Sequence, residues 1–305
     1  PCWPAEPNYD QLAQGESLKQ RGIDLESVYT EWTPVERRRL KRGTDFDDVV
    51  LGIPVGAFPY MARELMDANP RFRAMVENLG TVRTMSVQFW FDRDLAGMGW
   101  DQPSPVMAAY SPPLNTWADM TQLIPRESYP PGSVGNIAYL TGPMVGGIAP
   151  PEDHDAPARA HERVRQAART FLQSLSGFLW PDAAAKSAEG YPLNTHGTAF
   201  ERLVAPDAPN ATAAFDAQFF RANIDPAQRY VQSRSGTTTY RLRPWESGFA
   251  NLVLAGDWTR NGFNAGGVEP TTWSGIQASN TLSGYPALST IVGYDVPTTD
   301  KYGRT

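Results

Sequence analysis

The feature that most constrains the fold is the stretch LAGDWTRNGFNAGGVEPTTWSGIQA, which runs from Leu254 to Ala278. It completes an apolar run, residues 252–255, that is typical of a β-strand buried on both faces. Gly256 and Asp257 follow at once. Because ligands of open α/β sheets bind beyond the carboxyl ends of the strands, a ligand is expected here. The Asp257 carboxylate offers two acceptor oxygens, which suits the hydroxyl groups of a ribose or ribityl chain.

A glycine pair and a proline-led helix come next. Gly266 and Gly267 permit a close approach of the backbone to a ligand, and Pro270 fits the first turn of a helix. The N–H groups of Val268 and Glu269 then lie at the start of that helix, where they favour a negative group by about 0.3 to 2 kcal/mol. Glycine-rich turns from strand to helix also occur for packing alone, so the spacing by itself leaves both interpretations open.

Length and charge narrow the function classes. A chain of 305 residues is long enough for two domains. A net charge of −6 gives no reason to expect binding to nucleic acid, whose phosphates demand a basic face. The concentrated basic run, residues 36–42, is best interpreted as a solvated hairpin, with a partner site as the alternative.

Cysteine usage and hydropathy bear on location and on metal binding. The single cysteine, Cys2, cannot form an internal disulfide, which favours a reducing compartment, and a cytoplasmic protein is expected. No apolar run reaches the roughly 18 residues of a spanning helix, so no membrane span is predicted. The histidines His154, His161 and His196 lack the spacing of metal ligands, so they are interpreted as surface or supporting residues and no metal site is predicted.

The first part of the chain predicts elements of a parallel sheet. Residues 25–32 and 35–42 are typical of two strands of a small meander. Residues 45–54 form a β-branched apolar run ended by proline, which predicts a strand buried on both faces. A helix that begins at Pro59 follows directly. Strand, tight turn and helix in this order indicate an α/β fold.

The middle of the chain has a different pattern. Residues 82–91 and 134–140 predict strands, and residues 114–120 lie in a loop-rich tract between them. Residues 156–179 give the longest helical pattern, with apolar residues at three- and four-residue spacing. Antiparallel strands covered by helices predict a second lobe of mixed α+β type.

The end of the chain matches a known pattern. Residues 251–258 (NLVLAGDW), 264–269 (NAGGVE) and 274–275 (SG) arrive in the order strand, acidic residue, glycine pair and helix. This segment resembles the C-terminal FAD-binding segment of the flavin amine oxidase and phytoene desaturase superfamily. Residues 47–54 are similar to the strand of that superfamily that returns to the FAD domain, and residues 243–248 to the loop before its last strand.

The resemblance spans residues 25–282 and implies a fold. Residues 1–70 and 235–305 are expected to form the C-terminal part of a Rossmann-like FAD-binding domain. Residues 71–234 are expected to form an α+β substrate-binding domain with an antiparallel sheet. The implied activity is that of an FAD-dependent oxidoreductase.

The resemblance also implies a set of site residues. In such proteins the acidic residue, here Asp257, hydrogen-bonds the ribityl chain, and the amides of Val268 and Glu269 face the pyrimidine edge of the flavin ring. Phe263 occupies the position of an aromatic wall that presses a substrate against the flavin. The residues expected to bind FAD are Gly256, Asp257, Trp258, Asn264, Ala265, Gly266, Gly267, Val268 and Glu269.

The sequence departs from the superfamily in one respect. Its members begin with a G-x-G-x-x-G turn that holds the pyrophosphate, and this spacing does not occur in these 305 residues. The chain begins at Pro1, without Met, which is interpreted as processing or as a cut from something longer. We therefore expect a second chain to carry the G-x-G-x-x-G half of the FAD site.

The substrate stays open at this stage. Monoamine-type oxidases place a lysine near the flavin, and the matching position here is Thr84 or Met85, neither of which replaces an ammonium group. Hydride abstraction from an amine or an amino acid is one expectation, and desaturation or dehydrogenation of a less polar substrate is another. A subunit without a flavin and a module for a nonflavin ligand are further alternatives. The intact Asp257 and glycine pair speak against the subunit without a flavin.

Overall fold

A computed structural model describes residues 6–183 and 199–291. They divide into two compact units. One, the split unit, contains the described residues up to Val82 and from Asp225 onward, and the other, the middle unit, is Arg83–Ile224. The domain boundaries predicted from the sequence lie nearby, at 70/71 and 234/235. The roles given to the two parts stay predictions.

The split unit contains a parallel strand pair. Strand β1 (Val49–Leu51) pairs with β9 (Leu252–Leu254), with Val50 opposite Val253. All of β9 is buried, as predicted. In β1, however, Val49 and Val50 are 40% and 52% exposed. The prediction that β1 is buried on both faces is therefore wrong, because within the described residues β9 is its sole paired neighbour.

The predicted meander is also wrong. Residues 25–32 and 35–42 contain no strand, although both lie in the described part of the chain. A strand requires a backbone neighbour, and here the N–H of Val28 donates to the Asp225 carboxylate instead. Strand pairing elsewhere in the split unit is limited to a short antiparallel ribbon of β2 (Thr81–Val82) and β8 (Tyr230–Val231), as far as the described residues go.

Along the chain, helices lie before β1, between β1 and β9, and after β9. Helix α1 covers Gly15–Arg21, and the helix predicted from Pro59 is present as two short pieces, α2 (Phe58–Met61) and α3 (Arg63–Ala68). Helix α4 (Pro70–Asn78) begins after Asn69, whose side chain accepts from the N–H groups of the first turn. Helix α7 (Val268–Ser283) follows β9 and ends at Gly284, which is left-handed with φ 75°.

An apolar core lies beneath β9. Phe58 stacks on Phe72 at 5.7 Å between ring centroids and meets the edge of Trp258 at 5.1 Å. The buried members of this core come from β1, the helices, β8, β9 and the loops that join them: Leu51, Val55, Phe58, Ala62, Phe72, Met75, Val76, Leu79, Val231, Leu242, Leu252, Leu254 and Trp258. The core therefore supports the strand end at which the sequence places a ligand.

The middle unit is built on a five-stranded sheet in the order β4-β5-β6-β3-β7. All its pairs are antiparallel, which confirms the predicted sheet type. The strands are β3 (Thr84–Phe91), β4 (Val106–Met107), β5 (Thr116–Asp119), β6 (Asn136–Pro143) and β7 (Phe219–Asn223). The tract 114–120, predicted as loop, contains β5. Its Trp117 is fully buried against Trp100 and Trp180, and this packing holds the segment beside β6.

The long helical pattern is confirmed, with a change of geometry near its end. Helix α5 covers Ala156–Thr170 and continues as a π turn, Phe171–Leu175, and a 3₁₀ turn, Ser176–Phe178. Its buried stripe includes Val164 and Ala168 and extends into Phe171. Helix α6 (Ala211–Asp216) completes the helices of the described part of this unit.

The predictions on membrane spans, the cysteine and the histidines can be compared with the described residues. Within residues 6–183 and 199–291, every helix is too short or too polar to cross a bilayer. Cys2 and His196 lie outside the described residues. His161 packs edge-on against Phe220, with ring centroids 6.2 Å apart.

Asp225 provides a test of how the N-terminal segment is held. Its Oδ1 accepts from the Ser27 hydroxyl at 2.9 Å and from the Val28 N–H at 2.8 Å, and the side chain is buried. Asp225→Ala leaves both donors without an acceptor and should lower the free energy of unfolding by about 1 to 3 kcal/mol. Asp225→Asn keeps Oδ1 as an acceptor, so the free energy of unfolding should fall by less than in Asp225→Ala. Urea denaturation measures both, and equal losses in the two variants would contradict this role.

Candidate functional site

The turn after β9 is fastened to helix α7. The N–H of Gly256 donates to Oγ of Ser274 at 2.8 Å, and the Ser274 and Thr259 hydroxyls are 2.9 Å apart. Oγ1 of Thr259 also donates to the Gly256 carbonyl at 2.8 Å. Ser274 and Thr259 are fully buried. Buried hydroxyl groups are stable when they are paired in this way, so the turn has a fixed position relative to the helix.

Gly256 cannot be replaced by a larger residue. Its φ is 144°, and an added Cβ would lie 2.4 Å from Nε1 of Trp258. Trp258 itself is buried in the apolar core, and its Nε1 has no hydrogen-bond partner. Since this ring packs in the core, we expect Trp258 to contact a ligand through its backbone only.

Asp257 is hydrogen-bonded to the glycine pair. Its Oδ2 accepts from the N–H of Gly267 at 3.2 Å, across ten residues of chain. Burial raises the pKa of the Asp257 carboxyl, and the hydrogen bond from Gly267 and the charge of Arg241 oppose this rise. The carboxylate is thus a partly buried acceptor beside the start of α7.

Asn261 organises the loop between Asp257 and the glycine pair. Its Oδ1 accepts from the N–H groups of Phe263 and Asn264, each at 3.0 Å. Its Nδ2 donates to the carbonyl of Pro270 at 3.0 Å, and its own carbonyl accepts from Nε2 of Gln277 at 3.3 Å. Asn261 is not among the site residues predicted from the sequence. The tendency of Asn to accept from backbone N–H groups two and three residues ahead is the signal that could have identified it.

The loop then presents one aromatic and one amide side chain. Phe263 is 55% exposed and meets the edge of the Trp273 ring at 5.5 Å. Asn264 is left-handed with φ 56°, and its buried Oδ1 has no hydrogen-bond partner among residues 6–183 and 199–291. Unpaired buried acceptors are rare, so this oxygen is suited to a donor from a ligand.

The start of helix α7 is open. Within the described part of the chain, no side chain caps the helix at Gly267, and Val268 in the first turn is 78% exposed. An added Cβ at Gly266 would lie 3.3 Å from the carbonyl oxygen of Val231, so the backbone there passes close to β8. Ala265 is partly buried and Glu269 is exposed. The N–H groups of Val268 and Glu269 lie in the first turn, so they have no acceptor within the helix and lie at the positive end of the helix dipole.

A buried arginine lies under this loop. Arg241 is 1% exposed, and its Nη1 donates to the carbonyl oxygens of Asp257 and, at 3.4 Å, Thr259. Its Nη2 donates to Oγ of Ser233 at 3.1 Å. Burial lowers the pKa of Arg241, and the charge of Asp257 opposes this. Arg241 is not among the site residues predicted from the sequence, because no local pattern marks a residue that acts across sixteen positions.

The two residues at the lysine position lie in the middle unit. Oγ1 of Thr84 is hydrogen-bonded to Nδ2 of Asn223 at 3.0 Å, and Met85 is buried. They alternate along β3, so only Thr84 is on the partly exposed face. A threonine hydroxyl in this place provides a hydrogen bond but no positive charge.

Comparison with known proteins places the chain in a family. It belongs to the flavin containing amine oxidoreductases, whose model matches residues 26–283. No curated protein matches it. Among solved structures it is similar to an oxidoreductase from Methanosarcina mazei, with 14% identity and a TM-score of 0.44, over 75% of this chain and 42% of that one. The chain thus spans less than half of the length of that structure. The family assignment rests on the sequence match.

The geometry fits the flavin that the family name implies. A partly buried carboxylate, a buried amide oxygen without a partner and an uncapped helix start lie along one loop, at Asp257, Asn264 and Val268. The first two suit hydroxyl and N–H donors, and the third suits an electron-rich ring edge. The part that each residue takes in binding remains a prediction.

The titration of Asp257 tests the electrostatics of this site. Since its folded pKa lies above the ordinary value of 3.8, the folded state binds the proton more tightly than the unfolded state. The resulting stabilisation is complete below pH 3.8 and is lost as the pH rises through the folded pKa. Asp257→Asn removes it. The difference in free energy of unfolding, wild type minus Asp257→Asn, should therefore fall as the pH rises from 3.8 through the folded pKa. Urea denaturation at a series of pH values measures it, and a constant difference would contradict the raised pKa.

Proposed function

We propose that this chain holds the isoalloxazine and ribityl portions of FAD in an FAD-dependent oxidoreductase. The observation that carries the proposal is the contact of Oδ2 of Asp257 with the N–H of Gly267, beside the uncapped start of α7. Membership in the flavin containing amine oxidoreductases supports it. A Rossmann-like arrangement of the split unit is part of the same proposal, supported by the parallel pair β1 and β9.

The residues of the chain would divide the work of binding and orientation. Bound FAD would supply the acceptor for a hydride from an organic substrate. Asp257 accepts from ribityl hydroxyl groups, and the first-turn amides at Val268 and Glu269 favour the electron-rich edge of the ring. The exposed ring of Phe263 forms an apolar wall for the substrate.

The substrate is proposed to be an amine or an amino acid, in keeping with the family. Phe263 can contact the alkyl part or the cation of such a molecule. A second candidate is desaturation or dehydrogenation of a less polar substrate. The observation that favours it is Thr84, which is hydrogen-bonded to Asn223 and carries no charge where amine oxidases place a lysine.

A second chain that carries the G-x-G-x-x-G half of the FAD site is proposed as the partner. The outer edge of β1 supports this. The Val49 N–H donates to the carbonyl of Asn251, and the Leu51 carbonyl accepts from the N–H of Ala255, each at 2.9 Å, so both groups point towards β9. The backbone groups of Val50 therefore point to the opposite edge. Parallel strands are normally covered on both faces and paired at both edges, so this edge is suited to another strand.

FAD occupancy of an Asp257 variant tests the proposed site. Asp257→Ala removes an ionised acceptor and should weaken FAD binding about tenfold or more, since a hydrogen bond to a charged group contributes about 1.5 to 3 kcal/mol. Asp207→Ala, at an exposed position of the middle unit, is the matched control and should leave the affinity unchanged. Flavin absorbance and fluorescence titration measure both. Unchanged FAD binding in Asp257→Ala would refute the role of this carboxylate.

The partner proposal predicts how the chain discriminates between flavins. If the adenosine half of the site lies on another chain, these 305 residues should bind FAD and FMN with affinities within about twofold of each other. The preference for FAD should appear when the second polypeptide is added. Calorimetric titration of each flavin provides the measurement. A strong preference for FAD by this chain alone would contradict a divided site.

A further inference from the structure

Arg241 is a buried cation whose acceptors, as far as the structure describes the chain, are uncharged. Its guanidinium group donates to the carbonyl oxygens of Asp257 and Thr259 and to the hydroxyl of Ser233. Its Nε is buried and has no hydrogen-bond partner among the described residues. Burial of a charge is costly, and an apolar side chain of similar volume often serves packing as well or better. Packing alone therefore does not account for an arginine here.

The hydrogen bonds of Arg241 connect two separate turns. Nη1 holds the carbonyl groups of Asp257 and Thr259, in the turn that follows β9. Nη2 holds the Ser233 hydroxyl, which in turn donates to the carbonyl of Asn264. Asn264 is the left-handed residue shortly before the glycine pair. One guanidinium group thus joins the turn that carries the Asp257 carboxylate to the turn that leads into α7.

We propose that Arg241 is a positioning residue, which fixes these two turns relative to each other so that the Asp257 carboxylate and the start of α7 can meet one ligand. For the identity of that ligand, FAD, the proposal rests on the proposed function. The planar fork of arginine is necessary, because separate nitrogens must reach the two turns at once. Lysine retains the charge but carries its three donors on one nitrogen, which cannot occupy the positions of both Nη1 and Nη2, so it should hold one turn less well than the other.

Three variants separate this role from general stability. Arg241→Met removes both connections, and Arg241→Lys retains the charge with one connection. Ser233→Ala interrupts only the branch to Asn264, because Nη1 of Arg241 still reaches Asp257. Arg243→Met is the matched control. It lies on the same segment, and its side chain is only partly buried, against Trp245.

Amide hydrogen exchange of the intact protein with its partner, without FAD, provides the structural readout. The reporters of the first turn are the N–H groups of Thr259 and Arg260, which donate to Gly256 and Leu242 at 3.1 and 2.8 Å. The reporters of the second turn are those of Phe263 and Asn264. Arg241→Met should accelerate exchange at both turns about tenfold or more, and Ser233→Ala at the second turn only. Arg243→Met should accelerate neither.

FAD titration of the same variants gives the functional readout. The dissociation constant should rise about tenfold in Arg241→Met, by less in Arg241→Lys, and not in Arg243→Met. Unchanged exchange at the two turns, or acceleration spread equally to helix α4, would overturn the positioning role. If Arg241→Met does not fold, the exchange rates at the two turns in Arg241→Lys and Ser233→Ala decide whether the positioning role holds. If the wild type binds no FAD while the variants still show the local acceleration of exchange, the proposed function is refuted and the positioning role of Arg241 stands.

Discussion

The structure of the candidate site depends on one constraint, the attachment of the turn after β9 to helix α7. Gly256 donates its N–H to the buried hydroxyl of Ser274, and Asp257 accepts from the N–H of Gly267. A strand end and a helix start are thereby held side by side, although a loop of several residues separates them. Both bonds need a backbone that comes close to its neighbours, which explains the glycine at 256, where an added Cβ would collide with Trp258. The apolar core below β9 provides the rigid base.

Polar groups in this region are buried at a cost that their pairing offsets only in part. Ser274, Thr259, Asn261 and Gln277 are buried and hydrogen-bonded to one another or to the loop. Among residues 6–183 and 199–291, Arg241 has no charged acceptor and the Asn264 amide oxygen has no partner. Strain and incomplete pairing of this kind concentrate where a protein must keep groups ready for a ligand. The open edge of β1 is a similar liability, which a partner strand would remove.

Local signals in the sequence were sufficient for the elements that carry the site. The apolar run at β9 and the proline in the first turn of α7 each act within a few residues, and both predictions are confirmed. Features that depend on distant contacts were missed or wrong. Arg241 acts across sixteen positions. Strand β5 depends on its pairing with β6, and the predicted meander fails because its segment bonds the distant Asp225.

The most direct test is a crystal structure of this chain with FAD bound, together with the second chain that we propose as its partner. The account predicts that a ribityl hydroxyl donates to the Asp257 carboxylate and that the pyrimidine edge of the ring lies against the N–H groups of Val268 and Glu269. A structure in which FAD binds elsewhere, while protein side chains or solvent alone fill the corner between Asp257 and α7, would contradict it.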